Sequence, residues 1–239
     1  MAPSIQEHIV VIKEVVQDTP QVRLLRVSRP AGWDFLCGQF FMVSLADDPH
    51  TRVARAYSAA SSPLEEEYIE IGFDKVGVLT TRLFGLKAGD ALRFKGPYGK
   101  FFFDDPSEED IVLIGAGTGI TPLMSIARYC AEKPLPNAVR LLYSVRTPEA
   151  IVYRKELEER KRQNPHFDYS VTVTRPEESA ERWHGKTGRV DEEMLAELVA
   201  NPDNSVAFIC GPKEFVFSVI GMLERIGVGK ERIKTDVWG

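Results

Sequence analysis

The chain has 239 residues, 44% of them hydrophobic and 27% charged, with a formal net charge of −5 at pH 7. That length supports two domains with cores of their own, and the acidic balance argues against general nucleic-acid binding. Cys37, Cys130 and Cys210 stand too far apart for a thiolate zinc site or an all-cysteine iron–sulfur cluster, which points to a reducing compartment.

The opening MAPSIQEHIVVIKEV alternates and carries early charges, unlike a signal peptide, and no apolar run is long enough to cross a bilayer. The expectation is a cytoplasmic monomer with neither nucleic acid nor membrane among its partners. The four histidines, His8, His50, His166 and His184, show no ligand spacing, so no metal site is expected. The chain then reads as short strands at 9–12, 22–27, 40–45, 68–73 and 91–95, with one helix near 79–84. Strands this short, with glycine and proline between them, predict an antiparallel barrel or sandwich. Residues 101–109, FFFDDPSEE, change the composition and mark a boundary, giving predicted domains 1–104 and 105–239. Beyond it lie strands at 111–114, 139–145, 169–174 and 205–210, with helices from Pro122 and at 149–163, 191–199 and 213–225. That alternation predicts a parallel sheet with helices on both faces.

Five stretches suit chemistry. Arg55-Ala56-Tyr57-Ser58 sets a donor fork for phosphate beside a flat ring and a small hydroxyl, although it also fits the polar end of a barrel strand. Gly77-Val78-Leu79-Thr80-Thr81 turns into a helix whose amides and hydroxyls suit a second phosphate. Gly96-Pro97-Tyr98-Gly99-Lys100-Phe101 reads as a turn. Gly115-Ala116-Gly117-Thr118-Gly119 breaks a buried strand, and Pro122 suits the first turn of the helix that follows. Glycines there let a bound group approach closely, and a helix start favours phosphate; a tight turn with no ligand also fits, and the spacing is not G-x-G-x-x-G. Cys210-Gly211-Pro212 ends a parallel strand, where open α/β sheets bind ligands.

In their order, RAYS, G-x-x-T, GPYG, GAGTGITP, CGP and a C-terminal aromatic resemble the ferredoxin–NADP⁺ reductase superfamily over almost the whole chain. The resemblance implies two domains, an N-terminal antiparallel flavin-binding β-barrel and a C-terminal α/β parallel-sheet nucleotide-binding domain. It implies FAD, with FMN as the alternative, and NADP(H). Arg55 would contact the flavin phosphate, Tyr57 would lie against the ring and its ribityl chain, Ser58 would hydrogen-bond near N5, and Ala56 is counted with them among the cofactor-binding residues. Ile71, Gly72 and Phe73 match the next flavin-lining strand, and Gly77, Val78, Leu79 and Thr80 match the flavin phosphate turn. Gly115 to Thr121, with Gly117, Thr118 and Thr121 foremost, match the nicotinamide–pyrophosphate loop. Cys210 matches the cysteine beside the reacting nicotinamide carbon, and Trp238 the terminal aromatic that covers the flavin. Gly239 follows that aromatic, one residue beyond where many members finish.

The chain lacks the cysteines of a plant-type [2Fe–2S] domain and the C-terminal cysteine cluster of dihydroorotate-dehydrogenase accessory subunits. What remains is similar to the compact bacterial ferredoxin (flavodoxin)–NADP⁺ reductases. Arg146, Arg175 and Arg189 match three arginines that those reductases place around a 2′-phosphate, and no acidic residue for a ribose diol stands at Thr174-Arg175. Surface arginines are common, and Asp191 or Glu192 are available partners for Arg189. The balance favours NADPH.

The implied activity is electron transfer between NADP(H) and a one-electron protein carrier, ferredoxin or flavodoxin. Hydride passes between nicotinamide C4 and flavin N5. Ser58 and Cys210 would position and polarise, and Trp238 would cover the ring. Arg82, Lys87, Arg93, Lys95 and Lys100 offer a basic patch for an acidic carrier, or simply a solvated barrel edge. The alternatives are a reductase of free flavin, a reductase component of an oxygenase, or a non-catalytic flavin-binding regulatory subunit.

Overall fold

The computed structural model describes residues 3–46, 53–104, 109–133 and 135–238. His50, Gly239 and residues 105–108 of the expected boundary lie outside them. The chain divides into two compact units. The first comprises Met1–Asp104 with Met124–Tyr129, and the second Asp105–Leu123 with Cys130–Gly239.

The first unit is a six-stranded antiparallel sheet built from β1 (Gln6–Gln17), β2 (Val22–Ser28), β3 (Phe40–Leu45), β4 (Arg55–Ser58), β5 (Tyr68–Asp74) and β6 (Ala91–Tyr98), with α1 (Val78–Leu83) between the last two. The strand order is β4-β3-β6-β1-β2-β5. Its two ends meet through an antiparallel bridge between Ala59 and Ile71 and a 2.7 Å bond from Ala60 N to Glu70 O, so the sheet is a near-closed barrel. Period-2 patterning fills it. Val10 and Ile12 of β1 are buried with Leu25, Val27, Phe41, Ile69 and Phe94, while Ile9 and Val11 face outward.

One sequence expectation fails here. Gly96–Tyr98 is no turn, because β6 runs through it, pairing Gly96 with Gln6 and Tyr98 with Phe40. Packing explains the glycine: a Cβ on Gly96 would lie 2.7 Å from Phe41 Cδ1, and Gly96 O accepts a 3.1 Å bond from Trp33 Nε1. The turn begins at Gly99, whose φ is +102°. RAYS, in turn, is a strand, β4.

The second unit is a six-stranded parallel sheet of β7 (Asp110–Ala116), β8 (Val139–Val145), β9 (Phe167–Val173), β10 (Lys186–Thr187), β11 (Ser205–Pro212) and β12 (Ile233–Trp238), ordered β10-β9-β8-β7-β11-β12. Its helices are α2 (Ile120–Glu132), α3 (Arg154–Gln163), α4 (Glu192–Leu198) and α5 (Lys213–Arg225). The middle of α2 falls in the first unit. Leu195 and Leu198 of α4 and Val216, Val219 and Leu223 of α5 bury against Val112, Ile114, Leu142, Ala207 and Ile209 of the sheet.

Two further departures have physical causes. The helix expected from 149 starts at Arg154, because Ile151, Val152 and Tyr153 are drawn into the core and Tyr153 takes φ +59° at the helix entry. The two edge strands were not read as strands: β10 has two residues, and β12 is half-exposed and lacks a continuous apolar run. Among the described residues, no helix is long and apolar enough to cross a membrane, and no group of three or more His, Cys, Asp or Glu gathers as metal ligands would. All three cysteines are buried and none is in a disulfide.

Candidate functional site

Each unit contributes one set of the expected residues. In the first, β4 pairs with β3 from Val43↔Arg55 to Phe40↔Ser58. Arg55 and Ala56 are exposed at the barrel end, and Tyr57 and Ser58 are half-buried. The Tyr57 ring stands edge-on to Phe73 at 5.9 Å, and Phe73 edge-on to Phe84 at 5.5 Å. Burial pushes the Tyr57 hydroxyl up to about 12, against the opposing pull of Arg55, so it is a neutral donor at working pH. Ile71, Gly72 and Phe73 are buried, with the Ile71 and Phe73 side chains in the barrel core, which leaves their backbone as the part able to meet a ligand.

The 77–80 turn divides the same way. Leu79 packs into the core. Thr80 Oγ1 accepts 2.9 Å bonds from Val76 N and Gly77 N and donates to Gly77 O at 3.1 Å, so this hydroxyl builds the turn. Val78 and Leu79, as first helical residues, carry amides without an intrahelical acceptor. Gly77 is extended, a conformation open to any residue, and a Cβ there would meet nothing within 4 Å. Neither backbone nor packing demands that glycine, and the open space beside it leaves room for a phosphate to approach the backbone. The residues present fit a flavin phosphate.

In the second unit the three glycines of GAGTG separate by cause. A Cβ on Gly115 would lie 2.8 Å from Leu123 Cδ1, and one on Gly119 would lie 2.3 Å from Cys210 O. Both are packing glycines. Gly117 alone is exposed, with φ +55°, and its carbonyl is held at 2.9 Å by the Tyr143 hydroxyl. Thr121 Oγ1 donates to Thr118 O at 2.9 Å and closes the first turn.

Cys210 pairs in register with Asp236 of β12, and its thiol donates to Asp236 Oδ2 at 3.9 Å. Burial pushes the Cys210 thiol well above its ordinary range, with the Asp236 charge adding to it. Burial also raises the Asp236 carboxyl, partly offset by the thiol's hydrogen bond. Asp236 carries no motif, and the exposed or intermediate burial of every residue in Ile233–Trp238 leaves no pattern in the sequence that marks it. Two residues on, Trp238 pairs with Pro212, is 41% exposed, and its Cζ2 lies 4.0 Å from where a Gly117 Cβ would sit. Gly117, Cys210, Asp236 and Trp238 thus share the C-terminal edge of one parallel sheet.

Arg146, Arg175 and Arg189 follow the ends of β8, β9 and β10, three neighbours in that sheet. Arg175 N donates to Arg146 O at 2.8 Å, and Thr172 Oγ1 donates to Gly188 O at 2.8 Å, which ties the three loops together. All three arginines are exposed, and Arg175 meets Glu178 at 3.1 Å. The partners foreseen for Arg189 are engaged elsewhere: Asp191 caps α4 at Met194 N, and Glu192 binds Arg225 at 2.6 Å. In the basic patch, Glu7 faces both Arg93 at 2.9 Å and Lys95 at 3.8 Å.

Residues 7–103 match the oxidoreductase FAD-binding domain family, and residues 113–219 match the oxidoreductase NAD-binding domain family. A flavohemoprotein of Bacillus subtilis is 29% identical over 212 residues, covering 86% of this chain and 52% of its own length. An NADH-cytochrome b5 reductase 2 of Saccharomyces cerevisiae is 30% identical over 201 residues, 77% of this chain and 66% of the relative. The chain therefore spans about half to two-thirds of the length of these relatives. A ferredoxin NADP⁺ reductase of Neisseria gonorrhoeae, solved with FAD and NADP, superposes with a TM-score of 0.81 at 22% identity, over 97% of this chain and 98% of that one.

Proposed function

The chain belongs to the ferredoxin–NADP⁺ reductase superfamily, and from that premise we propose a flavoprotein oxidoreductase that draws hydride from NADPH and passes electrons singly to a small redox protein. Residues 1–104 form the FAD domain of this reading and 105–239 the nucleotide domain. Bound FAD supplies the hydride acceptor at N5 and the means of releasing electrons one at a time. Arg55 and the amides of Val78 and Leu79 hold its phosphates, Tyr57 offers a neutral flat ring, and Ser58 a hydroxyl. Gly117 and Thr118 receive the nucleotide pyrophosphate at the start of α2. Cys210 stays protonated and walls the site as an uncharged, polarizable group, while Trp238 shields it from water.

The observation that supports this most is the gathering of an exposed left-handed glycine, a buried thiol and an exposed indole at one sheet edge. The grouping of Arg146, Arg175 and Arg189 behind adjacent strands supports NADPH over NADH, although the yeast relative is an NADH-cytochrome b5 reductase. The test is anaerobic mixing of purified holoprotein with each nucleotide, after heat release and chromatography have identified the flavin. Faster bleaching by NADPH, with FAD released, supports the reading; FMN alone or faster bleaching by NADH corrects it, and no flavin removes it.

A ferredoxin or flavodoxin is the carrier proposed, and the yeast relative, named for cytochrome b5, supports a protein acceptor. A second reading, a reductase of free flavin or of an oxygenase, draws on Glu7, which offsets the charge of Arg93 and Lys95 where an acidic ferredoxin would dock. Turnover with ferredoxin, flavodoxin and free FMN, each as sole acceptor, separates the two.

A further inference from the structure

The first unit holds a set of buried polar side chains that no cofactor motif uses. Glu70 of β5 is fully buried between two guanidinium groups: Arg26 Nε donates to Oε2 at 2.8 Å, and Arg128 Nη1 donates to Oε1 at 2.8 Å. Glu14 meets Arg26 at 2.7 Å from the solvent side, so two carboxylates and two guanidinium groups alternate from surface to interior. The Glu70 hydrogen bond and charge hold the Arg26 guanidinium above its ordinary value, against the desolvation that would lower it.

These side chains converge on one short backbone segment. Ala60 N donates to Glu70 O, and Ala60 O accepts from Arg128 Nη1 at 2.8 Å. Ser61 O accepts from the fully buried Ser125 hydroxyl at 2.7 Å, and Ser61 Oγ accepts from Glu70 N at 3.1 Å. The segment follows Arg55–Ser58 directly, at the point where the chain leaves β4, paired with β3, and bridges to β5 to close the barrel. Glu70 itself immediately precedes Ile71-Gly72-Phe73. Two of the three stretches read as flavin-binding in the first unit, Arg55–Ser58 and Ile71–Phe73, therefore adjoin this cluster.

Stability alone does not call for charges here, since a packed apolar set of similar volume is commonly as stable as a buried ion cluster. A slip of one residue between the segment and β5 would reverse the faces on which its side chains lie, and few backbone bonds oppose it. A charge-assisted bond from Arg128 to the Ala60 carbonyl and a hydroxyl bond from Ser125 to the Ser61 carbonyl are both directional, and together they admit one register only. We propose that Glu70, Arg128 and Ser125 are positioning residues that fix the register of Ala59–Ser61 against β5 and thereby hold Tyr57 and Ser58 in place for the flavin. This rests on the reading of Arg55–Ser58 as flavin-binding.

The test compares the full chain with Glu70→Gln, Ser125→Ala and the apolar double variant Glu70→Leu/Arg128→Met. The readouts are the FAD dissociation constant, the visible circular dichroism of bound FAD, the melting temperature, and amide hydrogen exchange at 57–61 in the flavin-free protein. Glu70→Gln should weaken FAD binding by roughly tenfold, alter the dichroism and speed that exchange. Ser125→Ala should do the same more mildly. The double variant should recover the melting temperature yet keep the altered dichroism. A double variant that restores both, or folded variants that melt lower with FAD affinity and dichroism intact, would show packing alone and overturn the proposal. Should Glu70→Gln not fold, Ser125→Ala decides: unchanged exchange and affinity sink the idea. An unaltered chain that binds no flavin sinks the flavin reading too, whereas flavin binding with indifferent variants sinks this inference alone.

Discussion

The two units assemble their candidate site residues in opposite ways. In the nucleotide unit they come from distant stretches, 115–119, 210–212 and 236–238, and meet because parallel strands end side by side. In the barrel they are consecutive along β4, β5 and the 77–80 turn, but much of that sequence is spent on the barrel itself. Ile71, Phe73 and Leu79 are core, and the Thr80 hydroxyl is tied into its own turn. A motif residue can thus be a ligand contact or part of the scaffold that shapes one, and geometry separates the two classes.

The largest effects should come from testing that division inside GAGTG. Gly119→Ala drives a Cβ into the Cys210 carbonyl, where only backbone can yield, so a loss of at least about 1–3 kcal/mol of stability is expected, together with lost nucleotide binding. Gly117→Ala meets no comparable crowding and bears only left-handed strain of about 1–2 kcal/mol. Melting curves and NADP⁺ titrations of both variants check the ordering. Equal stability losses would mean that the packing and exposed glycines are not distinct.

Next in size is Arg175→Ala, expected to weaken NADPH binding by about 1.5–3 kcal/mol and leave NADH nearly unchanged. The competing Glu178 contact places the gain toward the lower end. Equal losses for both nucleotides would make this arginine structural and break the contrast between its loop and the pyrophosphate loop.

A third test uses pH. Asp236 has its carboxyl pKa raised in the folded state, chiefly by burial, so the neutral form is the one that folding favours. The stability it contributes is complete below the unfolded value near 3.8 and is lost as pH rises through the raised folded value. Asp236→Asn should therefore melt higher than the parent at neutral pH and match it at the acid end. A parent and variant that run parallel across that range would show that the Cys210–Asp236 pair carries no such linkage.

Much of the architecture was legible because each unit has its own period: alternation in β2 and β5, continuous apolar runs in β7 and β11, and helical spacing in α5, whose limits Lys213 and Arg225 match expectation. What stayed hidden depends on contacts distant in sequence. Arg128 lies 58 residues from Glu70, and neither residue sits in a pattern that announces the other. Gly96 looked like a turn residue because its reason, the Phe41 ring, is supplied by another strand. β12 and Asp236 were missed because a half-exposed edge strand carries too few apolar residues to register as buried.

The smallest expected effect concerns Trp238, where the units' two styles of assembly should be hardest to tell apart. Its indole is part of the sheet edge, through the pairing with Pro212, and part of the proposed site, beside Gly117. As a cover over the flavin it must move aside when nicotinamide arrives, and ring stacking beyond area burial is worth about 0.5–1.5 kcal/mol. Trp238→Ala should then tighten NADP⁺ binding by roughly two- to tenfold, since the nucleotide no longer displaces a ring. It should also reduce discrimination against NADH and slow product release. As a mere anchor of β12, the same substitution would lower the melting temperature and leave affinity untouched. At 41% exposure the indole still buries more than half of its surface, so a lowered melting temperature is expected in either case and does not separate the two. Titration with NADP⁺, followed by the flavin absorbance change, therefore decides the matter, and an unchanged dissociation constant would place Trp238 with the scaffold residues.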